Sequence, residues 1–483
     1  MRQARPFPHV IVTKKAVRWL AGGHPWLFEG EVVGMEPSPE TGRDAQNGDV
    51  VDILAENGTY CGTGLLSEKS KIRVRVVSRN ANDRFDEAFW ARKVAWAWEH
   101  RKVTMGGRAL PGCEPDTNCC RVIFSEADGF PGLVVDRYED VLVSQVGTVG
   151  MERLRPTLYR QLVETLRSDG QEIRGVYERN DTPSRALEDL PSYKGWWHEG
   201  ATSAGALVGA DAGHGEAASA GGASAGTGGL ATGGAAAGDA AAGNIATSDA
   251  AAGNIDASAP STRLVVTENG LRYDLDLENS QKTGFFLDQK YNRRAVRQIA
   301  AGRRVLDCFT HVGPFALNAA AGGAEFVRGV DVSQTACDLA AENARLNGLD
   351  GRTAFTCENV FDYLPRLRAD REALRSEGGP FDLIVLDPPA FTKSRATRQS
   401  ALRGYREINL EAMRLLPRGG YLATCSCSHF MTRELLMRAI AEAAHDANVQ
   451  LRQVEERQQA PDHPIVWGIP ETHYLDFFIF QVV

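Results

Sequence analysis

No stretch of this chain approaches the roughly 18 consecutive apolar residues that a helix needs to cross a bilayer. The opening MRQARPFPHVIVTKKAVRWL has neither the apolar core nor the small-residue cleavage site of a secretory signal. A cytoplasmic protein with no membrane partner is expected. Paired C-x-x-C spacing is missing too. Nine cysteines stand at positions 61, 113, 119, 120, 308, 337, 357, 425 and 427; an odd, scattered set implies reduced thiols and no disulfide framework. Cys113, Cys119 and Cys120 cluster without the His that a zinc site would add, so no metal is expected. Positive charge is also short. A net charge of -8 excludes a surface that tracks phosphate everywhere, because nonspecific affinity scales with the phosphates that Lys and Arg neutralise. Two basic runs remain: Lys69, Lys71, Arg73, Arg75 and Arg79, then Lys393, Arg395, Arg398, Arg403 and Arg406. Each reads either as a solvated face or as a phosphate-contacting patch. A G-x-G-x-x-G turn is absent as well, which weighs against a nicotinamide oxidoreductase.

What is present divides the chain. At 483 residues it exceeds the size at which one core keeps growing, so two or three domains are expected. From 201 to 260 the composition collapses to Ala, Gly, Ser and Thr, with little to bury, which predicts a disordered tether. Residues 1–80 hold short alternating segments (EVVGM, DVVDIL, TYCGTGLL, KIRVRVV) between Gly and Asn turns and predict a small β-barrel. Residues 81–200 mix helical periodicity, from Phe85 to Lys102 and Met151 to Arg167, with strand pairs, and predict a central α+β module. Residues 261–483 open with a hairpin turning at Asn269-Gly270 and then alternate strand and helix. Strands fit RRVLDCF, FVRGVDV, TAFTCEN, DLIVLDP and YLATCSC, with helices from Pro314, Gln334, Arg395 and Thr432. The fold class is α/β, a doubly wound, Rossmann-like sheet.

In such sheets ligands bind beyond the carboxyl ends of the strands, so the residues where each strand breaks carry the information. The first strand ends in Asp307-Cys308-Phe309-Thr310-His311-Val312-Gly313-Pro314, where Gly313 allows close backbone approach and Pro314 opens the next helix. The second ends at Asp331, whose carboxylate can accept both hydroxyls of a ribose or can cap the following helix. The third ends at Asn359, able to read an adenine edge and equally an ordinary turn residue. The fourth ends in Asp387-Pro388-Pro389-Ala390-Phe391, a rigid non-helical loop offering carbonyls and an aromatic ring to a flat base. The fifth ends in Thr424-Cys425-Ser426-Cys427-Ser428. A thiolate suits covalent catalysis on a weakly nucleophilic carbon such as cytosine C5, which needs sulfur to add at C6 first. Cys427 is the candidate nucleophile, with an inert buried thiol as the competing reading.

The segments HPWLFEGEV, EADGFPGLVVDRY, KTGFFLDQ, VDVSQ, LDPPAF, RGYREINL, SCSHFM and QAPDHPI together resemble the bacterial large-subunit ribosomal RNA cytosine-C5 methyltransferases that carry an N-terminal PUA domain. The resemblance covers the chain outside the tether. It implies a class I methyltransferase domain, S-adenosyl-L-methionine as cofactor, a PUA-like RNA-binding barrel and large-subunit ribosomal RNA as partner, and it leaves a homodimer open. Carried over by residue, Cys427 would attack the base. Asp331 would hold the cofactor's ribose and Asn359 its adenine, with Lys282, Thr283, Gln289, Phe309, Gly313 and Asp387 in the cofactor cleft. Asp387 would also serve catalysis, with Pro388, Pro389 and Phe391 against the base. Pro314 departs from the family's common Gly-Gly-Phe, and Ala390 stands where another class of RNA cytosine-C5 enzymes has a second thiol. Methylation of an exocyclic amine, and a noncatalytic RNA-binding assembly factor, are the alternatives.

Overall fold

The structure, a computed structural model, describes residues 5–105, 117–199, 260–280, 283–392, 394 and 396–483. The expected tether, apart from Pro260, lies outside the described residues, as do Cys113, Lys282, Lys393 and Arg395.

The first part folds into six strands, β1 (His9–Val12), β2 (Trp26–Phe28), β3 (Val32–Glu36), β4 (Val50–Ala55), β5 (Tyr60–Leu66) and β6 (Ile72–Ser78), in the order β2-β6-β5-β4-β1-β3. The pairs β1/β3, β2/β6, β4/β5 and β5/β6 each contain a bulge. Bulges bend strands and increase twist, so this short sheet wraps a single core of Val10, Val12, Leu27, Val51, Ile53, Leu66 and Val74. A helix absent from the sequence reading, Lys14–Ala21, starts at Thr13, whose hydroxyl accepts from the Ala16 amide at 3.3 Å.

The central part is a five-stranded sheet, β7 (Cys119–Phe124), β8 (Leu133–Tyr138), β9 (Val141–Val146), β10 (Gly175–Asn180) and β11 (Tyr193–Trp196), ordered β11-β10-β9-β8-β7. Helices Glu87–Thr104 and Val149–Ser168 cover one face, and Trp90, Trp98, Leu158, Tyr159 and Leu162 pack there on Leu133, Val135 and Leu142. Strand alternation turns Tyr138, Val141 and Val143 to the other face. There they meet Val266, Tyr273 and Leu275 of the hairpin β12 (Arg263–Glu268) and β13 (Leu271–Asp276), whose turn places Asn269 and Gly270 at positive φ.

The last part is a seven-stranded sheet: β14 (Arg304–Cys308), β15 (Phe326–Asp331), β16 (Thr353–Cys357), β17 (Leu383–Leu386), β18 (Tyr421–Ser426), β19 (Leu451–Gln458) and β20 (Asp476–Val482), ordered β16-β15-β14-β17-β18-β20-β19. Neighbours run parallel from β16 to β18, and β20 runs antiparallel to both β18 and β19. The order reverses between β14 and β17, which opens a crevice beyond their carboxyl ends. Helices Pro314–Ala321 and Gln334–Leu346 begin where the sequence placed them. Those expected from Arg395 and Thr432 begin at Arg398 and Arg433, with Thr432 as the cap.

Candidate active site

The loop after β14 is the most constrained part of the crevice. Phe309 (φ 64°), His311 (φ 51°) and Gly313 (φ 86°) all lie in the left-handed region, which costs a side-chain-bearing residue about 1–2 kcal/mol. Hydrogen bonds hold the loop there. The Thr310 amide donates to the Val330 carbonyl at 2.9 Å, and the His311 amide donates to Asp331 Oδ2 at 2.9 Å. The other Asp331 oxygen accepts from the Ser333 amide at 3.0 Å. Under the loop, Asp307 Oδ2 accepts from the Thr310 hydroxyl at 2.6 Å and the Ala316 amide at 2.9 Å, while its Oδ1 is buried without a hydrogen-bond partner. Burial pushes the Asp307 carboxyl up to about 7; the Thr310 hydrogen bond opposes this, and the nearby Asp387 charge reinforces it.

Across the crevice, Asp387 extends β17, its amide donating to the Cys308 carbonyl at 3.4 Å. Asp387 Oδ1 accepts from Gln289 Nε2 at 2.9 Å and from the Cys425 thiol at 2.9 Å. Burial raises its carboxyl above the ordinary range. Gln289 is itself fixed, because its Oε1 accepts from Asn292 Nδ2 at 2.6 Å. The two thiols at the end of β18 therefore differ. Cys425 is fully buried, and burial followed by the Asp387 charge pushes its thiol well up, so it acts as a hydrogen-bond donor. Cys427 is half-buried, with Sγ 3.9 Å from the Pro388 carbonyl, alongside the Asp-Pro-Pro loop. Its flanks are pinned: the Ser426 hydroxyl donates to the Tyr405 oxygen at 3.0 Å, and the Ser428 hydroxyl donates to the Thr392 carbonyl at 2.9 Å.

The fold thus brings Gln289, Phe309, Gly313, Asp331, Asp387, Pro388 and Cys427 to the carboxyl edge of neighbouring strands. Other expected residues sit elsewhere or do something else. Thr283 is buried with its hydroxyl donating to Asp136 Oδ2 at 2.5 Å and 3.3 Å from the Tyr138 oxygen, so it ties the crevice to the central sheet. Asn359 is exposed and two residues past β16; its Oδ1 accepts from the Phe361 amide at 3.1 Å and caps helix Val360–Ala369. Phe391 packs its ring inward against Phe309, Phe361 and Tyr405, at centroid distances of 6.4, 5.6 and 4.7 Å. Pro388 is buried and Pro389 exposed. Lys282 is outside the described residues. Asp307 was missed as a site residue, although an acid inside an apolar strand (VLDCF) is the kind of buried charge that calls for explanation.

A crevice at the strand-order reversal, lined by carboxylates, with an orphaned Asp307 oxygen beneath a left-handed loop, fits a cationic nucleoside ligand. A Cβ on Gly313 would come 3.2 Å from Ala340 Cβ, so the backbone there is already in close contact. Comparison with known proteins agrees. The family model described as S-adenosylmethionine-dependent methyltransferase matches residues 245–475, and one described as PUA-like domain matches residues 10–79. The chain is an S-adenosylmethionine-dependent methyltransferase. Among the described residues no helix is long and apolar enough to cross a membrane.

The chain is 33% identical over 460 residues to ribosomal RNA large subunit methyltransferase I of Shewanella amazonensis, covering 95% of each chain. It is 34% identical over 467 residues to the protein of the same name from Aeromonas salmonicida, covering 96% of this chain and 97% of that one. It belongs to this family. Among solved structures, a SAM-dependent methyltransferase from Streptococcus mutans aligns over 98% of this chain and 100% of its own with a TM-score of 0.66 and 19% identity, which shows the shared fold. A methyltransferase crystallised with SAH aligns over the same shares with a TM-score of 0.68 at 18% identity.

Proposed function

We propose that the chain methylates C5 of a cytosine in large-subunit ribosomal RNA, with Cys427 as covalent nucleophile. The supporting observation is the position of Cys427: half-buried, beside the Pro388 carbonyl, at the same strand edge as Asp387 and the loop 309–313. The relatives' name supports the RNA class. In our reading the N-terminal barrel, to about residue 80, contacts the RNA, residues 81–200 form a separate central module, 201–260 a tether, and 261–483 the catalytic domain, in a cytoplasmic protein.

S-adenosylmethionine supplies an electrophilic methyl group. The chain's residues do the rest. Asp331 and the left-handed loop it anchors would hold the nucleoside end of the cofactor, above the buried Asp307 carboxyl. Asp387, fixed by Gln289 and Cys425, and the two prolines hold the base. The Cys427 thiolate would bond to C6 and push the C5=C6 electron pair onto C5, making that carbon nucleophilic enough to take the methyl group the cofactor would supply. Loss of the C5 proton to a base then restores the double bond as the C6–S bond breaks and frees the thiolate. Cys427→Ala is expected to abolish methyl transfer to RNA while S-adenosylmethionine binding, followed by calorimetry, stays unchanged. Retained turnover would remove the thiol mechanism. Mass spectrometry of digested RNA separates 5-methylcytosine from an N-methylated base, and absence of cofactor binding would favour a noncatalytic assembly factor.

A further inference from the structure

The segment QAPDHPIVWGIPETHY, between β19 and β20, has so far no role. It carries the most exposed large hydrophobic side chain among the described residues: Trp467, 99% exposed. Hydrogen bonds shape the turn that presents it. The Ile469 amide donates to the Val466 carbonyl at 2.8 Å, the Val466 amide to Thr472 Oγ1 at 2.9 Å, and the Thr472 hydroxyl to the Ile469 carbonyl at 2.7 Å. The base of the loop is anchored in the central module, where Asp462 Oδ2 accepts from the Arg121 amide at 2.9 Å and its carbonyl from Arg101 at 2.8 Å. The Trp467 indole stands on this hydrogen-bonded turn with both faces open to solvent, so a flat partner can stack on it.

Its surroundings name the ligand. Gly468 packs backbone to backbone on the N-terminal barrel, so that a Cβ on it would lie 3.3 Å from Gly23 Cα and 3.4 Å from the Gly22 carbonyl. Gly22 and Gly23 link helix Lys14–Ala21 to His24. That helix presents Trp19, 54% exposed and edge-on to His24 at 5.6 Å, with Lys14, Lys15 and Arg18 exposed on the same short element. Arg79 donates to the His24 carbonyl at 3.0 Å. Acidic groups are fewer: Glu31 lies 3.7 Å from Lys15, and Glu471 is exposed on the loop itself. Aromatic faces interleaved with cations suit unpaired nucleotides, whose bases stack while their phosphates are neutralised. The other end of the loop reaches the catalytic edge, where Tyr474 packs on His429, ring centroids 5.7 Å apart, two residues from Cys427.

We propose that Trp467, together with Trp19 and His24, forms a composite stacking surface for a single-stranded RNA segment flanking the target base, joining the N-terminal barrel to the catalytic crevice. The inference deepens the RNA assignment above and rests on it. Its test is binding of a fluorescein-labelled single-stranded RNA 12-mer to the full chain, read by anisotropy. Trp467→Ala should weaken binding by roughly 5- to 150-fold, the range for one stacked base, with Trp467→Phe retaining most of the affinity. Trp19→Ala should weaken it as well, a duplex of equal length should be less affected, and S-adenosylmethionine affinity should not change. RNA affinity of Trp467→Ala within twofold of the unsubstituted chain overturns the proposal and leaves the ring to a protein contact. Methyl transfer by the unsubstituted chain separates the two readings. Turnover on RNA with an unaffected Trp467→Ala sinks only the stacking surface, whereas Trp467-dependent binding without turnover sinks only the methylation.

Discussion

Asp307→Asn should make the chain more stable at neutral pH, and the gain should vanish in acid. Asp307 sits inside β14 with one oxygen satisfied twice and the other not at all, and burial lifts its carboxyl from the ordinary 3.8 to about 7. The folded state therefore binds the proton more tightly than the unfolded state does. Stability associated with this group is fully present below about pH 4 and is lost as pH rises through 7. A displacement of about three pH units corresponds to ~4 kcal/mol. The Asn variant keeps the oxygen that accepts from Thr310 and Ala316 but never ionises, so it escapes this loss. Some of the gain is offset, because the new amide must find an acceptor in a tight site, at about 1–3 kcal/mol if it does not. That offset is independent of pH. Urea unfolding of both proteins at half-unit steps from pH 4.5 to 8 isolates the effect: the stability difference should swing toward the variant by up to ~4 kcal/mol and flatten above pH 7.5. Parallel pH profiles would refute the reasoning, since they would mean that Asp307 titrates alike in both states.

Three further outcomes follow from named contacts. Arg293→Met should cost about 3–5 kcal/mol, because Arg293 and Glu268 are 1% and 0% exposed, lie 2.7 Å apart, and the loss strands a buried carboxylate; thermal unfolding checks it, and adding Glu268→Gln should recover part of the loss. Gly313→Ala should lower stability by about 1–2 kcal/mol, since φ is 86° and the new Cβ meets Ala340, and should weaken S-adenosylmethionine binding measured by calorimetry. Gln289→Ala removes a donor from Asp387, which leaves that carboxyl higher still; the acid limb of the pH–rate profile for methyl transfer should move to higher pH, and an unmoved limb would argue that Asp387 does not govern it.

Much of the architecture was legible because periodicity and turn chemistry are local. Asn269-Gly270 announced the hairpin, and Asp331 and Cys427 could be placed at strand ends by counting along apolar runs. In the seven-stranded sheet two strands escaped, and β1, β2, β10 and β11, all short, escaped elsewhere. β20 (DFFIFQV) is apolar on both faces, and such a run has no period to read; β19 (LRQVEERQ) is a charged edge strand whose pairing comes only from its neighbour. The sequence alone determined the family, the order of the five strands β14 to β18 and the residue types at each of their ends. The tertiary structure decided which of them meet. Gln289, Asp387 and Cys425 lie 98 and 38 residues apart yet share one hydrogen-bonded carboxylate oxygen. It also separated the two thiols of Thr424-Cys425-Ser426-Cys427-Ser428, burying one against Asp387 and leaving the other at the edge. It diverted Thr283 to Asp136 of the central sheet and Asn359 to a helix cap. Local propensity says which residue can donate or accept, but the partner is chosen by the packing of distant segments, and no spacing along the chain records that.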